Sequence, residues 1–166
     1  MRRIVHFGAL VTACAADPIG GSPAAPPLRY WGESPAPHAG TMALTPDAQR
    51  AVIAHPDIDR VSVVDLARRT IVAEVALGPT PAPESDGRWA PPVAPQGVAV
   101  SPHRGVAFVV GRNSGEVIAL DLRAPRVLAR APVCAEPSAV LVGPAEASVF
   151  VACAPDRELV AVDARS

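Results

Sequence analysis

Three stretches of this chain repeat one another, and their spacing constrains the fold more than any other feature. The first runs Met42-Ala43-Leu44-Thr45-Pro46-Asp47, then Ala51 to Ala54, then Val61 to Leu66. The second runs Val98 to His103, Val106 to Val110 and Val117 to Leu122. The third runs Val140 to Ala145, Val149 to Ala152 and Leu159 to Ala164. Two landmarks move together. Pro46 to Pro102 and Asp65 to Asp121 both span 56 positions, while Pro102 to Pro144 and Asp121 to Asp163 both span 42. The difference of 14 between the intervals falls in the Pro-rich segment 82–94, which reads as an insertion loop.

Each unit is a run of short apolar strands with a reason for every turn. Pro46, Pro102 and Pro144 stop the first strand, because proline cannot donate to a central ladder. Pro56-Asp57, Asn113-Ser114-Gly115 and Pro155-Asp156 supply turn chemistry after the second. Asp65, Asp121 and Asp163 end the third strand, where a carboxylate can accept backbone N–H bonds in the next tight turn. Strand four is expected at Thr70 to Leu77 and Arg126 to Val133, and the third unit stops before one. The 20 prolines forbid long helices. A period of ~40–45 residues with several strands per repeat is the mark of propeller blades. The expected fold is all-β: three consecutive antiparallel blades at about 41–79, 95–133 and 137–166, the last incomplete. Closed propellers have about 4–8 blades, so three do not make a closed ring.

Leu44-Thr45-Pro46-Asp47, Val61 to Leu66 leading to Ile71-Val72-Ala73-Glu74-Val75, and Pro95 to Pro102 resemble the YVTN-type β-propeller repeat family of bacterial surface and periplasmic proteins. Gly78-Pro79-Thr80-Pro81 matches that family's link between blades. The resemblance covers roughly 37–163 and speaks for fold rather than activity. His103 and Ala145 stand where the repeat has Asp after Pro. Some members join such blades to a C-terminal haem domain. The resemblance therefore also implies an alternative, in which the chain is the N-terminal propeller of a larger redox protein with a c-type haem domain.

The N-terminus reads as an export signal. Met1-Arg2-Arg3 precedes a mostly apolar run of about ten residues, too short for a membrane span. Val11-Thr12-Ala13-Cys14 follows and resembles the bacterial lipobox, making Cys14 the expected lipid attachment site at the end of a signal peptide over 1–14. Residues 15–40 hold six prolines and four glycines and read as a linker. The expected location is the bacterial envelope, periplasm or outer membrane, with the membrane engaged through the lipid.

Chemistry is sparse. The net charge is -1 and no basic patch is present, which argues against nucleic acid. No C-x-x-C-H, G-x-S-x-G, H-E-x-x-H or P-loop occurs, so no cofactor, metal site or catalytic residue is assigned and the expected role is non-enzymatic. Asp57-Ile58-Asp59 opens like a calcium loop but lacks the later Gly and Glu, and reads as a solvated turn. His38 and His55 fall on one propeller face and are the residues there that could face a ligand; with no third group placed, they read first as solvated loop histidines. His103 lies in a turn on the opposite face. Trp31 and Trp89 are expected to cover the outer edge of a blade.

Cys134 and Cys153 remain. They can form a disulfide in an oxidising compartment or stay as two buried thiols. Simple hairpin counting pairs Cys153 with Ser138, four residues from Cys134, so the chain would have to bend back for a bond. Open sheet edges are also expected to favour a protein partner or self-association.

Overall fold

The structure is a computed structural model that describes residues 42–165. They form eleven strands and one three-residue 3-10 turn, grouped in three antiparallel sheets. Blade I is β1 (Met42–Leu44), β2 (Arg50–His55), β3 (Arg60–Asp65) and β4 (Thr70–Ala76), paired in that order. Blade II is β5 (Pro95–Val100), β6 (Val106–Gly111), β7 (Glu116–Asp121) and β8 (Arg126–Pro132). Blade III is β9 (Pro137–Val142), β10 (Ser148–Cys153) and β11 (Glu158–Asp163), with the 3-10 turn Pro144–Glu146 between β9 and β10. The sheets succeed one another as propeller blades and close no ring.

The repeat sets the turns as its residue types require. Asp65 Oδ1 accepts from Arg68 N at 2.8 Å, Asp121 Oδ1 from Arg123 N at 2.8 Å, and Asp163 Oδ1 from Arg165 N at 2.8 Å. Those N–H bonds, the largest influence in each case, hold all three carboxyls below the usual aspartate range. Between the second and third strands the last turn residue is left-handed in every blade: Asp59 at φ 52°, Gly115 at φ 68°, Arg157 at φ 54°. Gly115 has a second reason to lack a side chain, since a Cβ there would lie 2.8 Å from Cys134 O.

Strand alternation sends each side chain to one of two neighbouring blades. Val52, Val61, Val63 and Val75 of blade I meet Ala107, Val109, Ile118 and Leu120 of blade II. Phe108, Val110 and Val117, one residue out of step on the same strands, meet Val149, Val151 and Cys153 of blade III. Burying each large apolar side chain contributes about 1.5–3 kcal/mol, so these two layers are what hold the blades together.

Polar struts tie the blades at both ends. Arg130 reaches from blade II to the carbonyl of Leu77, Ser101 bonds Glu146, and Arg104 bonds the carbonyl of Ala164. The insertion is fastened to blade I rather than loose. Its Pro83 and Trp89 form a bridge, and Trp89 Nε1 donates to Asp57 O at 2.8 Å. Trp89 thus caps the β2–β3 turn of blade I instead of covering a blade's outer edge. The indole needed an acceptor, and the turn's carbonyl supplies one.

Candidate functional site

Position in the repeat decides which face of a blade a residue serves. In the second strand of each blade, Val52, Phe108 and Phe150 are equivalent and point toward the following blade. Ile53, Val109 and Val151 are equivalent and point toward the preceding one. Blade II is covered on both faces. Among the described residues, blade I has nothing on its preceding face and blade III has nothing on its following face.

Blade III's open face follows from its register. Leu141 lies opposite Phe150, Ala139 opposite Ala152, Phe150 opposite Ala161, and Ala152 opposite Leu159. All six are apolar, and with Val140 five of them line a shallow depression of about 270 Å³. Leu141 and Leu159 are each 65% exposed. Blade I's open face carries Met42 and Leu44 of β1 opposite Ile53 and Ala51, then Val64 and Ile71 further out. Met42, Leu44 and Ile71 are more than half exposed. Five of the nine large apolar side chains exposed among the described residues therefore sit on these two faces, a concentration that marks contact surfaces.

Blade I's open face differs in one respect. Ser62 stands where the repeat has Ile118 and Val160, and His55 stands where it has Gly111 and Cys153. His55 Nε2 and Ser62 Oγ are 2.9 Å apart, Ser62 Oγ donates to Glu74 Oε1 at 3.4 Å, and Arg60 lies 3.7 Å from Glu74. His55 is half-buried within this chain of bonds, so the reading of a solvated loop histidine does not hold for it. The hydroxyl sits between imidazole and carboxylate, whereas a relay that activates a serine places the imidazole in the middle. With Ser62 only 1% exposed, the arrangement links three strands across the face. Neither Ser62 nor Glu74 was singled out from sequence. The available signal was a hydroxyl at an apolar position of the repeat.

Burial, its largest influence, lowers the pKa of His55, and Glu74 opposes the shift. A histidine with a lowered folded pKa takes its proton later than the unfolded chain does. The stability it contributes is thus present above the ordinary histidine value of 6.5 and lost as pH falls below it. We expect the urea midpoint to drop between about pH 7 and about pH 5, and the drop to shrink in His55→Gln. An unchanged pH profile in the variant would show that His55 does not set it.

Cys134 and Cys153 are joined by a disulfide, with Cα atoms 6.1 Å apart. Hairpin counting went one residue astray. Val149 does face Val142, but a bulge between Ala152 and Cys153 shifts the register and sets Cys153 opposite Pro137 instead of Ser138. The chain between β8 and β9 then folds over blade II's β6–β7 turn to reach it.

The Asp57–Asp59 turn is not solvated. Asp59 is fully buried, and its Oδ1 and Oδ2 accept from Ala94 N at 2.7 Å and Val93 N at 3.1 Å. Asp57 Oδ2 is buried without a hydrogen-bond partner. No group of three or more His, Cys, Asp and Glu among the described residues is placed to hold a metal. His103 is exposed, 3.7 Å from Glu146. Cys14, Trp31 and His38 lie outside the described residues.

No family model matches the chain, and a search of curated proteins finds no match. Solved structures do match. Hydrazine synthase of Kuenenia stuttgartiensis superposes with a TM-score of 0.64 at 20% identity, over 81% of this chain and 36% of that one. The β-propeller domain of Cps50 (Swd1) from Myceliophteria thermophila superposes with a TM-score of 0.61 at 12% identity, over 80% of this chain and 38% of that one. The fold is that of a β-propeller, and the chain spans little more than a third of the length of either neighbour.

Proposed function

We propose that this chain is a non-enzymatic β-propeller module of the bacterial cell envelope, of the YVTN type, that serves as a binding or scaffold surface. The observation that carries this reading is the pair of open apolar blade faces, which are broad, sheet-backed and, on blade III, charged only at the Asp163 end of β11. Such a surface suits a protein partner better than a small polar substrate. The disulfide fits an oxidising compartment, and the lipobox-like Val11 to Cys14 supplies the membrane tether.

The anchor is tested directly. In a bacterial host, fatty-acid labelling followed by mass spectrometry is expected to find Cys14 as a diacylated N-terminal residue, because stable anchoring needs more than one acyl chain. Cys14→Ser is expected to lose the label and leave the membrane fraction. An unmodified N-terminus at Ala15 or later removes the lipoprotein part of the reading.

The open face of blade III also fits a second reading, in which more blades and a c-type haem domain follow in a longer protein. Reading the coding DNA past Ser166 separates the two, since that reading requires C-x-x-C-H motifs downstream.

A further inference from the structure

We propose that the open face of blade III packs on the open face of blade I of a second copy of this chain, and that the reciprocal contact closes a six-bladed ring from two chains. This rests on reading the open faces as binding surfaces, and it names their occupant.

The argument is continuity with junctions the chain already makes. On blade III, Phe150, Leu159 and Ala161 hold the repeat positions of Phe108, Val117 and Ala119 in blade II. Phe108 and Val117 are buried in the junction with blade III, and Ala119 packs against it. On blade I, Leu44, Ala51 and Ile53 hold the positions of Val142, Val149 and Val151, the residues on blade III's side of that junction. Blade III against a second blade I is therefore the II–III junction made once more, with Ser62 and His55 in the places of Val160 and Cys153.

Charge raises no obstacle. Blade III's face brings only Asp163, at the end of β11 opposite Ser148, whose carboxylate already accepts from Arg165. Blade I's face has Arg60 and Glu74 at its outer end, already 3.7 Å apart and partly exposed, so no unpaired charge would be buried. A contact between two copies of blade III's face would instead set Phe150 against Phe150, an arrangement with no counterpart within the chain. The three blades described in each copy give six in two copies, inside the range of about 4–8 in which propellers close, and a two-fold pair uses each of the described open faces once.

The test is native mass spectrometry of the full chain. Wild type is expected at the mass of two chains. Leu141→Arg with Leu159→Arg disables blade III's face, and Met42→Arg with Ile71→Arg disables blade I's. All four side chains are more than half exposed, so each variant is expected to keep the wild-type circular dichroism spectrum. Should an Arg pair fail to fold, the matching Thr pair replaces it.

Each variant alone is expected at the mass of one chain. Their mixture is expected to restore a two-chain species made of one of each, through the single intact junction. A wild type that stays single overturns the proposal. So does a blade I variant that still pairs with itself, or a ladder of masses beyond two chains. Cys14 labelling is read separately, so a failed ring leaves the envelope reading standing, and a failed anchor leaves the ring standing.

Discussion

Removing the Cys134–Cys153 bond lowers the unfolding free energy by about 3 kcal/mol, the entropy of closing a loop of roughly 20 residues, and the thermal midpoint by on the order of 10 °C. The sequence separation is 19. The bond ties the segment leaving β8 to the end of β10, across the junction of blades II and III. That junction needs the tie more than the other. At its outer end, where β11 has no strand beyond it among the described residues, a cleft of about 210 Å³ opens between β8 and β11. Cys153 is 1% exposed among Val149, Val151 and Phe108, so replacing it with Ser would add a buried hydroxyl to the loss of the bond. The suitable comparison is Cys134→Ala with Cys153→Ala against oxidised and reduced wild type, followed by thermal unfolding. Reduced wild type and the double variant are expected to coincide within about 1 kcal/mol, the modest packing value of two sulfurs. Equal midpoints for oxidised and reduced wild type would exclude a stabilising bond.

The blade architecture was legible because it is written locally and repeated. Pro46, Pro102 and Pro144 stop strands by lacking a donor, and Asp65, Asp121 and Asp163 cap turns within three residues of themselves. Both effects act inside one hairpin and need no knowledge of the neighbours. What escaped the sequence depends on partners far along the chain. Asp59 looked like a surface turn residue because the amides it holds are 34 and 35 residues away, in an insertion with no counterpart elsewhere in the repeat. Trp89 was read as covering a blade's outer edge, and its acceptor lies 32 residues back. The bulge beside Cys153 shifts the register by one residue, and nothing in Ala152-Cys153-Ala154 announces it. Ser62 was hidden differently. Its strand is apolar on both sides, so a single hydroxyl passed as an ordinary strand residue until the alignment of blades put it beside Ile118 and Val160.

Asp59→Ala is expected to destabilise the chain by about 3 kcal/mol, because it removes the acceptor of two backbone N–H groups at the I–II junction. Val93, whose N–H is one of them, is itself buried in the core shared by blades I and II. Without Asp59, segment 82–94 loses two of its bonds to blade I and keeps that of Trp89 to Asp57 O, and Val93 is drawn partly out of that core. The backbone adds to the cost. Asp59 sits at φ 52°, a conformation that Asp and Asn tolerate better than Ala. Asp59→Asn keeps the tolerance and one acceptor, so it is expected to cost about half as much. Asp59→Gly copies the residue that blade II uses at this position, Gly115, and separates the terms: it relieves the backbone and restores no acceptor. The pH dependence carries a distinct sign. Burial, the largest influence, raises the Asp59 pKa against the two N–H bonds that lower it. The folded chain thus holds that proton more tightly than the unfolded one. Stability contributed by Asp59 falls as pH rises from the ordinary aspartate value of 3.8 through the raised folded value, opposite to Asp65, Asp121 and Asp163. The penalty of Asp59→Asn, read from urea midpoints, is therefore expected to be larger near about pH 4 than near about pH 7. A penalty that grows with pH instead would mean that the two N–H bonds outweigh burial, and that Asp59 stabilises the junction as a charge.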